Sequence, residues 1–202
     1  AGVRIRHLAL LVPVGGAAVA AAILHSPYRV QRLLAWRDPF EDPQGIGYHI
    51  IQSLSAIAGG GVAGRGLGHG VQKFGYLPEA TTDFVFAIVC EELGLAGAAL
   101  VIALLVALLW SGLAIIAPSD PRLRPPTFRR LLGLGILLTI GFQALMNVTV
   151  VTGLAPTKGI ALPLVSHGGT GWVLTAFSLG ILISIERAAI GDVAARCSEV
   201  ES

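Results

Sequence analysis

Between Leu93 and Ser119 the chain carries no charged residue, and three other stretches come close to the same condition. A helix needs about 20 predominantly apolar residues to cross the hydrocarbon of a bilayer, where no water can satisfy the backbone. Residues 8–24, 83–117, 128–151 and 169–188 meet that requirement. The whole chain agrees with them: 54% of its 202 residues are hydrophobic and 13% charged, about half the charge density of a soluble domain. That balance excludes a soluble enzyme, a disordered chain and a nucleic-acid binder, and a net charge of +2 offers nothing to a polyanion. Cys90 and Cys197 stand far apart and form no metal or redox pattern. The expected fold class is an all-α polytopic membrane protein. It has four transmembrane helices and a long extracytoplasmic loop that contains short interfacial or re-entrant helices.

Charge placement sets the expected orientation. Arg122, Arg124, Arg129 and Arg130 cluster between the second and third spans, Arg4 and Arg6 precede the first, and Arg187 and Arg196 follow the fourth. Short loops rich in Arg and Lys stay in the cytoplasm, so both termini, the inner loop 118–127 and the tail 189–202 face inward. The outer loops are then 25–82 and 152–168, and the second of these carries Lys158 alone. VRIRH followed by an apolar run imitates a signal peptide, but three more spans follow, and the run reads as a helix that stays. The chain opens on Ala1 and its single methionine is Met146, which points to processing or to part of a longer polypeptide.

The outer loop is Gly-rich yet patterned. Ile46, Ile50, Leu54 and Ile57 recur at helical spacing, with polar residues elsewhere on the wheel, so a short helix lying at the interface is expected there. No internal repeat or low-complexity tract is evident.

A few polar residues stand out against this background. Thr82 or Asp83 suits the N-cap of the second span, and Asp83 also suits the positive end of its dipole. The alternative is that Asp83 is a carboxylate held beside a cavity, able to take a proton from an incoming hydroxyl. Glu91 and Glu92 follow about two turns on, roughly 12 Å along a straight helix. Ionisable groups at that depth are costly and point to function; the plainer expectation is that one pairs within the bundle while the other, on a different face, reaches for the interface. Two prolines and several glycines between Gly153 and Gly171 imply irregular backbone around Lys158. Gly168 and Gly169, opening the fourth span, offer N–H groups to an anion. Asn147 and Gln143 suit interhelical hydrogen bonds. His49, His69 and His167 lack metal-ligand spacing, and no P-loop, dinucleotide fingerprint, catalytic triad order or HExxH occurs.

Two long motifs carry a resemblance. DPFEDPQGIGYHIIQSLSAIAGGGVAGRGLGHGVQKFGYLPEATTDFVFAIVCEELG, from Asp38 to Gly94, resembles the large outer loop and following helix of the SEDS family, which comprises FtsW, RodA and SpoVE. GLAPTKGIALPLVSHGGTGW, from Gly153 to Trp172, resembles its last outer loop, and YLPEA and PTKG are nearer the FtsW branch. His49, Thr81, Cys90, His167, Thr170 and Gly171 depart from the family's usual residues. The family's ten-helix architecture would make these four spans its last four.

The resemblance implies a peptidoglycan glycosyltransferase that polymerises lipid II, with the nascent glycan strand as the other substrate. It implies a class B penicillin-binding protein and other division proteins as partners, no nucleic acid, a divalent cation (Mg2+ or Mn2+) as cofactor, and the bacterial plasma membrane as location. The family's essential loop aspartate falls on Asp83, expected as the catalytic base, and its PTKG lysine on Lys158. Substrate contacts are expected from Lys158, Lys73, Arg65, Glu79, Ser166, Gly168 and Gly169; no metal ligand is assigned. A diphosphate leaves as a stable anion, so one base facing cationic or N–H groups suffices, without the second carboxyl that glycoside hydrolysis needs. Two other readings stay open: a flippase of lipid-linked precursor, favoured by Glu91 and Glu92, and a non-catalytic division scaffold.

Overall fold

A computed structural model describes residues 5–118, 125–167 and 169–201, with side chains over 12–118, 125–167 and 169–191. The loop residues Arg122 and Arg124, and Gly168, lie outside the described residues. Among the described residues the regular elements are helices, with no strand: α1 (Ile5–Leu24), α2 (Pro27–Arg37), α3 (Tyr48–Gly60), α4 (Val85–Ile116), α5 (Thr127–Val151) and α6 (Gly169–Glu201), plus one 3-10 turn at Gln72–Phe74. Three helices are long and apolar enough to cross a membrane, namely α4, α5 and the Gly169–Gly191 part of α6. In α1, the stretch Val12–Leu24 is a shorter apolar helix.

The chain forms two compact units, residues 1–51 and 52–202. In the first, α1 turns into α2 at Ser26, where Pro27 supplies the preset φ of a first helical residue. The Arg29 guanidinium donates to the Ala22 carbonyl across that turn. No residue of α2 is buried. The sequence gives no helix signal here, because α2 carries three arginines and no clear apolar stripe. The helix expected from the Ile46–Ile57 periodicity is present as α3.

In the second unit α4, α5 and α6 all touch one another. Small residues allow their backbones to approach: a methyl on Gly112 would meet Leu137 Cδ2 at 2.4 Å, and one on Gly133 would meet Ile116 Cγ2 at 2.5 Å. Ile116, Leu137 and Leu182 fill one end of the three-helix contact. At the other end Leu77, Ala80, Phe84, Ala87, Val151 and Leu162 close a core that roots the two loops in the helices. The buried Ser53 hydroxyl, from the second turn of α3, donates to the Val151 carbonyl at 2.7 Å.

α4 is broken. Gly94 has φ 64° and ψ −159°, a backbone conformation that only glycine adopts without strain, in the middle of an otherwise helical segment. The straight helix assumed for the depth of Glu91 and Glu92 is therefore corrected: both residues sit at the lip of a discontinuity.

Candidate functional site

Asp83 lies in the turn that enters α4. Glu79, at φ 54°, folds the chain back so that its carbonyl accepts the N–H of Thr82 and of Phe84. The Glu79 carboxylate accepts the Thr82 hydroxyl at 2.8 Å. The N-cap position of α4 is Phe84, and Thr82 Oγ1 is turned back to Glu79. Neither candidate for the cap therefore caps: the Asp83 carboxylate accepts no hydrogen bond from the first turn and is left half-buried at the mouth of the helix. Its pKa is raised above the usual aspartate range, first because burial disfavours the charged form and second because the Glu79 carboxylate is near.

The loop after α5 is brought to the same place by backbone bonds. Asn147, 1% exposed in the last turns of α5, donates through Nδ2 to the carbonyls of Asp83 at 2.7 Å and Ile160 at 2.6 Å. Gln143, one turn earlier, donates to Ala161 O at 2.9 Å, and the His167 N–H donates to Thr81 O at 2.9 Å. The expectation of helix-to-helix bonds for Asn147 and Gln143 is thus corrected to helix-to-loop bonds. Carbonyls of an irregular loop have no partners of their own, and a side-chain amide on a helix supplies them.

The result is that the Asp83 carboxyl rests on Gly159. A methyl at Gly159 would lie 2.7 Å from Asp83 Oδ2, so the residue next to Lys158 must be a glycine for the carboxyl to sit there. Lys158 is exposed and makes no ion pair among the described residues. Gly169 opens α6 with open space around its Cα. Ser166 is 2% exposed; its hydroxyl accepts the Leu162 N–H at 2.6 Å, and its carbonyl accepts the Trp172 indole N–H. That places Ser166 inside the turn that shapes the loop.

Arg65 and Lys73 stand elsewhere, against Glu91 and Glu92. Arg65 Nη1 lies 3.2 Å from Glu91 Oε1, and Lys73 Nζ lies 2.7 Å from Glu92 Oε1. From the sequence the two adjacent glutamates are expected on different faces, one paired within the bundle and the other reaching for the interface. Instead both address one loop, because the break at Gly94 lets that loop cross α4 at their level.

The sequence offers Asp83 as a cap or a base and Lys158 as the fixed charge of its loop, and it is the family resemblance that singles the two out together. Asn147 as the clamp between them is not legible there: an amide in an apolar helix signals a partner without saying which. Gly159 carried no signal beyond its place beside the lysine. Among the described residues no group of three or more His, Cys, Asp and Glu is placed to hold a metal ion.

Comparison with known proteins shows the family. The FtsW/RodA/SpoVE family profile, described as cell cycle protein, matches residues 1–190. Stage V sporulation protein E of Bacillus subtilis is 42% identical over 187 residues, which cover 93% of this chain and 50% of that protein. The probable peptidoglycan glycosyltransferase FtsW of Geobacter metallireducens is 41% identical over 186 residues, 92% of this chain and 48% of the relative. Among solved structures, one from work on the structural coordination of polymerization and crosslinking by a peptidoglycan synthase complex superposes with a TM-score of 0.66 at 29% identity. It covers 90% of this chain and 49% of that one. The chain spans about half the length of the curated relatives it matches. With three helices of spanning length and a matched stretch of 190 residues, this multi-pass membrane chain belongs to the FtsW/RodA/SpoVE family.

Proposed function

We propose that this chain supplies the catalytic loops of a peptidoglycan glycosyltransferase that polymerises lipid II, and that it corresponds to the last four spans of the ten-helix family architecture. The observation that carries the reading is that Asn147 joins the two loops, setting the Asp83 carboxyl, which accepts no hydrogen bond among the described residues, against Gly159, the neighbour in sequence of the exposed Lys158. The named function of the FtsW relatives supports it.

The chemistry follows from those groups. A sugar hydroxyl of one substrate attacks the anomeric carbon of the other, a C–O bond forms, and the bond to the diphosphate breaks with inversion. Asp83 accepts the hydroxyl proton. A raised pKa makes it a stronger base once ionised, and a positioned base contributes about 10²- to 10⁴-fold in rate. Lys158 and the N–H groups opening α6 at Gly169 receive the departing diphosphate, where fixed positive groups stabilise charge as it develops. Both substrates keep lipid tails, so a site where outer loops meet spanning helices suits them.

A divalent cation, Mg2+ or Mn2+, enters the proposal only as a companion of the diphosphate. Glu79 and Asp83 are the carboxylates that the described part of the site offers it, fewer than a protein-built cage needs, though such ions are commonly shared between one or two carboxylates and phosphate oxygens. When bound it would neutralise leaving-group charge. The proposed partners are a class B penicillin-binding protein and other division proteins. The proposed orientation has both termini cytoplasmic and the Asp83 loops outside, in the bacterial plasma membrane. The flippase alternative drew on Glu91 and Glu92, and both carboxylates are engaged by Arg65, Lys73 and loop N–H groups.

The test is Asp83→Asn in the full-length protein. Lipid II polymerisation in detergent is expected to fall at least 10²-fold with membrane insertion unchanged. Normal glycan yield from that variant rejects Asp83 as the base. Transport of labelled lipid across reconstituted vesicles, with no polymer formed, would establish the flippase instead.

A further inference from the structure

The densest polar construction in the described structure does not touch Asp83 or Lys158. The segment 61–73 crosses α4 where Gly94 breaks it. In a continuous helix the Leu95 N–H would bond to the Glu91 carbonyl; here it donates to Gly61 O, and the Glu91 and Glu92 carbonyls accept the N–H groups of Arg65 and Gly66 at 3.0 and 2.9 Å. The side chains then take the rest of the loop. Glu91, 1% exposed, accepts Val71 N–H through Oε1 at 2.9 Å and Gln72 N–H through Oε2 at 3.2 Å. Glu92 accepts Gly68 N–H through Oε2 at 3.0 Å and Gly70 N–H through Oε1 at 3.3 Å. The ion pairs with Arg65 and Lys73 compensate both charges. The contact is too close for side chains: a methyl on Gly64 would meet Glu92 O at 2.2 Å, and one on Gly70 would meet Glu92 Oε1 at 2.9 Å. A surface ion pair alone is worth little. Carboxylates whose oxygens are nearly all committed to backbone N–H groups hold a loop in one conformation.

That conformation leads to Asp83. Gln72, held by Glu91 through its N–H, presents its carbonyl to the Leu77 N–H at 3.0 Å. Leu77 is buried in the same core cluster as Ala80 and Phe84, on either side of the catalytic turn. We propose that Glu91 and Glu92 are positioning residues: they latch the 64–73 loop into the break of α4 and, through Gln72 and Leu77, fix the turn that carries Asp83. Arg65 and Lys73 belong to this latch and are not diphosphate ligands. The inference rests on the glycosyltransferase reading for its catalytic consequence, and on the geometry alone for the latch.

The test uses the full-length protein in detergent with variants Glu91→Gln, Glu92→Gln and Lys73→Ala, read by hydrogen–deuterium exchange of the 64–73 amides and by lipid II polymerisation. Exchange in that segment is expected to rise at least tenfold. Turnover is expected to fall about 10- to 100-fold with KM little changed, since a base displaced by about 1 Å loses rate and not substrate. Lys73→Arg, which keeps a cationic donor against the Glu92 carboxylate, is expected to retain most of both the exchange protection and the turnover. If Glu91→Gln does not fold, Glu92→Gln and Lys73→Ala decide, being nearer the surface. Raised exchange with unchanged turnover overturns the positioning role, unchanged exchange overturns the latch, and a raised KM in Lys73→Ala returns that lysine to the substrate. Full activity in Asp83→Asn would instead sink the reading beneath it, while the exchange data still judge the latch.

Discussion

A single aspartate illustrates how little a residue's identity settles. Asp83 is readable as a helix cap or as a base; in the structure Thr82 turns back to Glu79, and the Asp83 carboxyl caps nothing and accepts no hydrogen bond among the described residues. The same arrangement makes a pH prediction. As a base Asp83 acts ionised, so the acid limb of the polymerisation profile is expected above the usual aspartate range. Glu79→Gln removes the smaller of the two causes of the shift and moves the limb toward lower pH without abolishing it; a pH–rate profile of both proteins checks this. The linkage runs the same way. A folded-state pKa above the unfolded one means that the native state holds the proton more tightly, so stability is greatest below the unfolded pKa and declines as pH rises through the folded one. Asp83→Asn is therefore expected to unfold at a higher temperature than the parent protein at neutral pH, with the difference vanishing in acid, as thermal unfolding in detergent would show.

At the scale of elements, the sequence was least informative where a helix is interrupted. The run from Val85 to Ile116 has unbroken helical hydropathy, and EELG reads as ordinary helix with one tolerated glycine. What breaks it is a second segment whose backbone needs the space: Gly94 and Gly64 meet with no room for a methyl on either. Gly94→Ala places a Cβ 2.4 Å from Gly64 N in a backbone region closed to alanine. It is expected to cost about 1–3 kcal/mol from strain alone, seen as a lower unfolding temperature and faster exchange in residues 61–73. A variant as stable as the parent would mean that α4 runs straight. By contrast α3, α5 and the start of α6 are legible, since apolar periodicity marks α3, a long apolar run marks α5 and glycines open α6.

For the molecule as a whole, long exposed apolar helices dictate where it lives. Leu100, Leu104, Trp110, Phe142, Val173 and Phe177 are all exposed on α4, α5 and α6, an outward apolar surface that water would not tolerate. The chain is expected to stay in the pellet after an alkaline carbonate wash of membranes and to enter solution only with detergent; release by carbonate would contradict the spans. Apolar runs too long and too free of charge for a soluble fold, together with two motifs of family-specific length, determined the membrane class, the family and the identity of Asp83 and Lys158 as the charges to watch. Those are properties of local composition and order. Which groups meet was decided only by the tertiary structure, since Asn147 joining two loops, Gly159 yielding room for a carboxyl and Glu91 and Glu92 gripping one segment all join residues distant in the chain. Contacts of that kind depend on how helices cross and where backbones touch, and hydropathy along a chain carries no record of either.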